Sequence, residues 1–409
     1  MLRPGGSLPV LCVLVSALLA GPLYAQARTP APGLEQVVAA ALSTNPDLVA
    51  ARLRIDSAHG ERTLARAFPN PGFGISPGLP YQYSLSTSLD LGPQRVFRTR
   101  AAGAALLAAK DDVADVTRQV VFGVRQAFYD VLLAEAQRGL ATERRDIVRQ
   151  FLSADSTRLR AGDLAPREIT RAVVELSRAD ADLTRADAQV HVARLALQLL
   201  MGSERPDTAF QVSGTLVYRA VDIPEGALPR IAESNRPDLK ATRQRMAQSR
   251  AAVHLAAADL LPAPGAVLVY QPSAPFSNGS SYAIGFGMTV PLFSWHGGER
   301  ERARAGLATA VLAERRTQAL IANDLQTALD GYRAARALTE RFEGGLLAES
   351  QAALEMTRYA YRAGAASLLE LLDAVRTYVE TRSDYAIAVH DYWVNVSALS
   401  RASGTDFTQ

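Results

Sequence analysis

Two carboxylates near the C-terminal end of the chain are placed where they could act on cations. Glu370 and Asp373 are three residues apart in a predicted helix, so both project from one helical face. Closely spaced carboxylates attract cations. The first half of the chain has Glu168 at the matching position, but Arg171 stands where a second acid would be. The simpler alternative is a solvated acidic pair on a helix surface.

No other residues form a recognisable reaction centre. The sequence lacks a Gly-x-Ser-x-Gly elbow, a phosphate-binding loop and a histidine pair at metal-ligand spacing. Its five histidines are scattered: His59, His191, His254, His296 and His390. We therefore expect no catalytic residues, no metal site and no cofactor. Any transport by the chain would be passive or driven by a partner protein.

The charges of the chain are nearly balanced. Its 44 basic and 41 acidic residues leave a net charge of +3, and the two signs alternate along predicted helix faces. Such charge patterning is typical of solvated helical surfaces. A nucleic-acid partner is therefore not expected.

The sequence contains one long pattern twice. Asn45–Leu48 returns as Asn235–Leu239, each time before an alanine-rich helix, and Arg160–Gly162 returns as Arg362–Gly364. Two long copies exclude solenoids and propellers, which need three or more short units. The pattern predicts two pseudo-symmetric halves. The predicted boundaries are 26–202 for repeat 1, 203–228 for an inter-repeat linker, 229–404 for repeat 2 and 405–409 for a C-terminal tail.

The first residues predict export from the cytoplasm. An apolar stretch over 8–20, too short for a stable membrane anchor, precedes the small-residue pattern Leu23–Ala25, so residues 1–25 are expected to be a cleaved signal peptide. A retained anchor is the alternative. Cys12, the one cysteine, lies in this segment behind the bulky Leu11, so no lipidation is expected. The mature chain would carry no thiol chemistry.

Long helices dominate the rest of the sequence. Small apolar residues recur at spacings of three and four, as at Val113, Val116 and Val120, which predicts coiled-coil-like packing of helices side by side. A helix of about 60 residues would be roughly 90 Å long. The chain is therefore predicted to be mostly α-helical. The helices are expected at about 34–67, 98–161, 166–201, 229–260, 299–363 and 368–403.

Each repeat also contains a predicted β-hairpin, at about 72–91 and 266–291. Apolar and polar residues alternate over about 9–11 positions, which is the length of a membrane-spanning strand. The alternative is a half-buried hairpin in a soluble domain. The side chains expected to face lipid are Tyr83, Leu85, Leu89, Tyr282, Ile284, Phe286 and Met288.

Four strands are too few to close a membrane barrel. Small barrels need about eight strands, and lipid leaves an unpaired strand edge without hydrogen-bond partners. Several copies of the chain must therefore contribute to one barrel.

Two segments between long helices contain residues that favour a turn. Gly162 and Gly364 follow helices, where a left-handed residue is easiest for glycine. Pro166 can open the next helix, and Ser367 can cap its own. Both segments are predicted to be tips of helical hairpins.

These features together resemble the TolC-like outer-membrane factors of tripartite efflux systems, over essentially the whole mature chain. The most specific stretch is Tyr361–Ala374, its counterpart Leu159–Ile169 is looser, and Leu89–Arg95 resembles the heavy-metal efflux branch. The resemblance implies a homotrimer with a twelve-stranded barrel in the outer membrane above a periplasmic helical tunnel.

The resemblance also implies roles for individual residues. Glu370 and Asp373, with Glu168 and Arg171, would lie at the periplasmic aperture, where Arg171 could pair with an acid and hold the tunnel shut. Ala366 departs from the family, where a relative has a gating arginine. The residues expected to contact a periplasmic adaptor protein are Arg160, Ala161, Gly162, Arg362, Ala363, Gly364 and Ser367.

The sequence thus predicts an outer-membrane exit duct that conducts cargo passively from an adaptor and a proton-driven inner-membrane pump of the RND type. Three alternatives remain: the outer-membrane component of type I protein secretion, a periplasmic coiled-coil scaffold without a pore, and a secreted helical enzyme. The sequence does not name the cargo.

Overall fold

The computed structural model describes residues 31–78, 80–161, 166–273, 279–289, 293 and 295–408, so the predicted signal peptide lies outside the described residues. The helices within these ranges are α1 (Leu34–Thr44), α2 (Pro46–Arg66), α3 (Pro93–Ala161), α4 (Pro166–Leu200), α5 (Leu228–Asn235), α6 (Pro237–Ala258), α7 (Gly297–Arg341), α8 (Leu347–Arg362) and α9 (Leu368–Ser403). The strands are β1 (Gly72–Ser76), β2 (Gln82–Ser88), β3 (Ala263–Gln271) and β4 (Ser281–Thr289).

The two halves of the chain have the same order of elements. Each begins with two short helices, continues through two strands, and ends with long helices that form a hairpin. The prediction of a mostly helical fold with two repeats, each containing a β-hairpin, is therefore confirmed.

The short N-terminal helix of each repeat is broken, where one continuous helix was predicted. Pro46 and Pro237 each open a second helix, because proline has no N–H to continue the preceding one. In repeat 1 the side chain of Asn45 caps α2 by accepting hydrogen bonds from the N–H groups of Asp47 and Leu48.

The end of each repeat packs against this break. Gly202 follows α4 with φ +75° and lies against the backbone of Thr44, while Gly404 follows α9 with φ +74° and lies against Asn235. Asn45 Nδ2 donates to the carbonyl of Leu200 at 2.8 Å. The two repeats therefore use the same joint between their first and last helices.

Strands and helices form two aligned layers. The sheet has the order β1-β2-β3-β4, all antiparallel. Helices α2, α3, α6 and α7, which directly precede or follow those strands, pack in the same order. Each strand therefore continues into one helix of a four-helix layer. Further from the sheet, α3 packs on α4 and α9, and α9 packs on α7 and α8.

The linker between the repeats is fastened to the helical core. Tyr332 donates to the carbonyl of Val221 at 2.8 Å, and the hydroxyl of Tyr392 accepts from the N–H of the same residue at 2.9 Å. The indole of Trp393 donates to the carbonyl of Val217 at 2.9 Å. These buried rings find polar partners in the linker, which satisfies their hydroxyl and N–H groups.

The predicted C-terminal tail is anchored as well. Arg125 has a side chain only 5% exposed and forms a two-pronged ion pair with Asp406, at 2.6 and 2.9 Å. Burial alone would raise the pKa of Asp406, but the hydrogen bonds from Arg125 and Thr408 outweigh it and hold that pKa at about 2. Arg125 on α3 thereby fixes the C-terminal tail against repeat 1.

The long helix predicted over 299–363 is interrupted. A single wide turn, Phe342–Leu346, separates α7 from α8, and Gly345 adopts φ +144° inside it. Only glycine takes such a conformation without large strain. Its counterpart in repeat 1, α3, runs without a break for 69 residues, about 100 Å.

A histidine also joins the repeats. His390 on α9 is 12% exposed and contacts Asp130 on α3 at 2.8 Å and Asp391 at 2.9 Å. Burial alone would lower the pKa of His390, but its hydrogen bonds to the two carboxylates, and their charges, raise it above the ordinary value. The protonated form therefore stabilises this contact between the repeats.

This contact predicts a pH-dependent stability. Because the folded-state pKa is raised, the stabilisation is complete below the unfolded pKa of about 6.5 and is lost as the pH rises through the folded value. We expect His390→Gln to lower the melting temperature more at pH 6 than at pH 8.5, measured by calorimetry of the detergent-solubilised protein. His191→Gln, at an exposed histidine of α4, is the control. An equal loss from His390→Gln at both pH values would contradict the prediction.

Candidate functional site

The four-stranded sheet has one apolar face. Three rows of cross-strand partners project from it, because residues directly opposite each other on antiparallel strands share a face. These rows are Phe73-Leu85-Leu268-Ile284, Ile75-Tyr83-Tyr270-Tyr282 and Thr87-Ala266-Phe286, and Met288 opposite Pro264 continues the face. Ile284 is 72% exposed and Phe286 78%. An exposed apolar patch of this extent marks a surface that meets lipid or a partner.

Six of the seven side chains predicted to face lipid lie on this face: Tyr83, Leu85, Tyr282, Ile284, Phe286 and Met288. The seventh, Leu89, follows the last residue of β2 and is half-buried, and its N–H donates to the carbonyl of Pro264 at 2.7 Å.

The opposite face of the sheet carries mostly small, uncharged side chains. Its rows include Gly74-Ser84-Val269-Ala283 and Gly72-Ser86-Val267-Gly285. The four strands contain no Asp, Glu, Lys or Arg. A sheet with large apolar side chains on one side and mostly small or polar, uncharged side chains on the other is typical of a barrel wall between lipid and a lumen.

A row of aromatic rings crosses the apolar face near the hairpin turns. Tyr83 stacks between Phe73 and Tyr270, and Tyr270 stacks on Tyr282, with ring centroids 4.8–6.5 Å apart. Aromatic side chains with a polar tip are enriched where a membrane meets water. The row marks one boundary of the apolar band.

Among the described residues, each outer strand of the sheet has one edge without a partner. In that part of the chain β1 pairs only with β2, and β4 pairs only with β3. Each outer strand therefore has a free row of backbone N–H and C=O groups, which another strand can pair with.

The second helical tip has the geometry expected of a closed turn. α8 ends at Arg362, Ala363 follows in helical conformation, and Gly364 is left-handed at φ +75°. Ser367 and Glu370 form a reciprocal cap at the start of α9, in which Ser367 N–H donates to the Glu370 carboxylate at 2.8 Å. Glu370 therefore also has a structural role that the sequence analysis did not assign to it.

The first tip is described only in part. α3 continues through Arg160 to Ala161, whereas Gly162 lies outside the described residues, as do the side chains of 154–166. Tyr361 and Leu371 belong to a small apolar cluster that joins α3, α8 and α9 behind the second tip.

The predicted aperture residues lie at the same end of the molecule. Asp373, Glu370 and Arg171 are exposed, and Glu168 is half-buried. Within the described part of a single chain, no ion pair joins Arg171 to Glu370 or Asp373. A contact between them would have to form between neighbouring copies.

Besides the helix breaks before Pro46 and Pro237 and the cap at Glu370, three features of the structure are not predicted from the sequence. They are the wide turn at Phe342–Leu346, the Arg125–Asp406 pair and the histidine contact. The Gly344-Gly345 pair was a usable indication of the first. The other two join residues more than 250 positions apart, and nothing local in the sequence indicates them.

The described part of the chain contains no cluster of three or more His, Cys, Asp or Glu side chains able to hold a metal ion. Among the same residues, no helix combines the length and hydropathy needed to cross a bilayer.

Known proteins share both the sequence pattern and the fold. The cobalt-zinc-cadmium resistance protein CzcC of Cupriavidus metallidurans is 25% identical over 391 residues, covering 91% of this chain and 90% of the relative. A membrane protein from Pseudomonas aeruginosa has a similar fold, with a TM-score of 0.80 at 22% identity, covering 91% of this chain and 90% of the other. CusC gives a TM-score of 0.78 at 20% identity, covering 91% and 92%.

The sequence model of one family matches the chain twice, once in each repeat, over residues 37–203 and 228–405. This match spans most of the chain and agrees with the fold similarity. The chain therefore belongs to the outer membrane efflux protein family, a family of channels rather than of enzymes.

Proposed function

We propose that three copies of this chain close their sheets into one twelve-stranded barrel in the outer membrane and form the exit duct of a tripartite efflux system. The observation that carries the proposal is the sheet itself, with one apolar face and two unpaired outer strands. Four strands cannot close around a lumen, whereas twelve can, when β4 of one copy pairs with β1 of the next.

The helical layer supports the same assembly. Because α2, α3, α6 and α7 follow the strand order, closing the sheet also brings α7 of one copy beside α2 of the next. Twelve helices then continue the twelve strands and enclose a tunnel. The small uncharged face of the sheet lines the barrel lumen, and the apolar face meets lipid. Conduction through such a duct is passive.

We assign the partners from the family and from the tips. The two tips, at Arg160–Gly162 and Arg362–Ser367, contact a periplasmic adaptor protein. A proton-driven pump of the RND type in the inner membrane supplies the energy.

CzcC is named for cobalt, zinc and cadmium resistance, which favours heavy-metal ions as cargo. Another relative is named for pyoverdine export. Neighbouring genes for an adaptor and a proton-driven pump would support efflux, and a gene for an ATP-driven exporter would support type I secretion.

The assembly can be tested on the purified protein. We expect a trimer that needs detergent, migrates as a heat-modifiable band and opens channels in planar bilayers. A monomer that stays soluble without detergent would contradict the proposal and favour the periplasmic scaffold.

The aperture yields a sharper prediction. In the trimer, Arg171 is placed to pair with Glu370 or Asp373 of a neighbouring copy and to hold the tunnel closed. We expect Arg171→Ala to raise the single-channel conductance of trimers in planar bilayers several-fold, because the acids then repel one another across the axis.

The matched control is Arg178→Ala. Arg178 lies seven residues, or two turns, further along the same face of α4, and its contact is Glu175 within the same helix. Its replacement should leave conductance unchanged. Equal conductance of the Arg171→Ala and unmodified trimers would contradict the proposal that Arg171 holds the tunnel closed.

A further inference from the structure

Exposed aromatic and aliphatic side chains surround the junction where the strands meet the helices. We define the junction belt as the described residues within 66–71, 89–100, 259–262 and 293–304. Phe293 is fully exposed, Leu91 is 74% exposed, Trp295 is 66% exposed and Phe68 is 57% exposed. They adjoin the apolar face of the sheet, at its helical end.

Arginines are interleaved with these side chains. In the belt seven arginines stand against four carboxylates, an excess equal to the net charge of the whole chain. Arg98 pairs with Asp90 at 2.5 Å. The others have no carboxylate within 4.0 Å in the described part of the chain, although arginine–carboxylate pairs are common on the other helices. These unpaired arginines are Arg66, Arg95, Arg100, Arg300, Arg302 and Arg304.

Two of the unpaired guanidinium groups are positioned by their neighbours. Arg95 lies over the ring of Phe68, 3.8 Å from its centroid, and donates to the carbonyl of Arg66 at 2.7 Å. Arg300 donates to the carbonyl of Trp295 at 3.3 Å. Neither guanidinium has a second hydrogen-bond partner among the described residues. A guanidinium held in this way presents a planar fork that fits a phosphate group.

In the proposed barrel, the length of the strands would put the belt at the membrane surface. β4 has nine residues, and at about 3.3 Å per residue and a tilt of about 40° it spans roughly 23 Å, close to the apolar height of about 25 Å of outer-membrane barrels. The tyrosine row lies at one end of that span. The junction belt lies at the other end, where the periplasm-facing leaflet has its headgroups.

We propose that the junction belt binds the phosphate groups of anionic phospholipids in the periplasm-facing leaflet. Arg95 and Arg300 are the principal contacts, and Phe68 and Trp295 enter the interface beside them. This inference rests on the proposed function, because it requires the sheets to be in the outer membrane. It adds the lipid class and the residues that recognise it.

The depth of the belt can be measured by fluorescence. The chain has two tryptophans, and Trp393 is buried in the helical core, so Trp393→Phe leaves Trp295 as the reporter. In vesicles we expect Trp295 to be quenched more by lipids brominated near the headgroup than by lipids brominated near the chain end. Equal or reversed quenching would overturn the placement.

A second reporter separates this inference from the proposed function. Phe286→Trp, combined with Trp295→Phe and Trp393→Phe, reports from the middle of the apolar face. If this reporter is not quenched by brominated chains, the sheet is not in the bilayer and the proposed function fails. If it is quenched but Trp295 is not, only the junction belt is wrong.

The recognition of anionic lipid is tested by substitution. Each arginine near an anionic surface contributes about a fivefold change in affinity, so Arg95→Gln with Arg300→Gln should weaken binding of phosphatidylglycerol about 25-fold. Binding is measured by native mass spectrometry of trimers titrated with phosphatidylglycerol, with phosphatidylcholine as the neutral comparison. The doubly substituted variant Arg95→Lys with Arg300→Lys keeps the charge but loses the planar fork, so its binding should fall between that of the glutamine variant and that of the unmodified trimer.

Arg315→Gln with Arg316→Gln is the control for the loss of two charges, because both arginines are exposed on α7 about 22–24 Å along the helix from Arg300. It should bind phosphatidylglycerol like the unmodified trimer. The proposal is overturned if the Arg95→Gln and Arg300→Gln pair behaves like this control. It is also overturned if the pair lowers trimer stability without changing lipid binding, since the arginines would then pair with a neighbouring copy.

Discussion

Replacing Ile284 with arginine is expected to abolish the membrane-inserted trimer. Ile284 is 72% exposed and lies near the middle of β4 on the apolar face, opposite Leu268. An arginine on the lipid face of a barrel costs about 2–4 kcal/mol at the bilayer midplane, and three copies bring the cost to roughly 6–12 kcal/mol per trimer if they add. The measurement is the fraction of heat-modifiable trimer in the outer-membrane fraction.

The adjacent residue supplies the control. Ala283 points to the opposite, uncharged face, in a row with Ser84 and Val269. Ala283→Arg should leave the trimer yield near that of the unmodified protein, because lumen-facing charges remain in water, and it should shift ion selectivity toward anions. Equal losses from the two variants would show that the sheet does not separate lipid from a lumen.

Gly202→Ala is expected to destabilise the protein by about 2–5 kcal/mol. The left-handed φ of +75° costs an L-residue roughly 1–2 kcal/mol, and overpacking a close contact adds about 1–3 kcal/mol. A Cβ at this position would lie 2.4 Å from the carbonyl oxygen of Thr44, which is backbone and cannot rotate away. The joint between α4 and the α1–α2 break would have to open.

Two other left-handed glycines allow the steric part of this destabilisation to be separated from the conformational part. A Cβ at Gly364 would meet nothing within 4 Å, so Gly364→Ala should cost only the conformational part, about 1–2 kcal/mol. At Gly404 the nearest atom would be Asn235 C at 3.2 Å, which predicts an intermediate cost. The loss of stability in the three glycine-to-alanine variants is measured as the shift in the midpoint of guanidinium unfolding of the detergent-solubilised protein. A loss at Gly364 as large as that at Gly202 would contradict the steric argument.

The three breaks in the predicted helices show where prediction from sequence was adequate and where it was not. Pro46 and Pro237 make the breaks between the short helices understandable from local chemistry, yet alanine-rich periodicity on both sides favoured continuous helices. The wide turn at Phe342–Leu346 depends on Gly345, and a glycine in a helical pattern is often tolerated. Sequence alone does not decide whether such a glycine bends the helix.

Some features of the candidate site could likewise be predicted from the sequence, and others could not. The tip residues and the lipid-facing residues could be proposed from turn chemistry and period-two alternation, because both are local properties of the chain. That Glu370 caps α9 through Ser367 was also within reach, since serine followed three residues later by glutamate is a capping pattern. The partner of Arg171 could not be fixed, because no carboxylate among the described residues of its own chain forms an ion pair with it.

The two repeats, the helical and strand periods, and hence the resemblance to the family could be predicted from the amino-acid sequence alone. These features follow from composition and from spacings of a few residues. The pairing of β2 with β3 is visible only in the folded chain, where two hairpins some 180 residues apart in sequence form one sheet with one apolar face. The tertiary structure also showed that Asp406 and His390 join the repeats through Arg125 and Asp130. These contacts depend on how close distant segments come once the long helices have packed, and no local pattern encodes that distance.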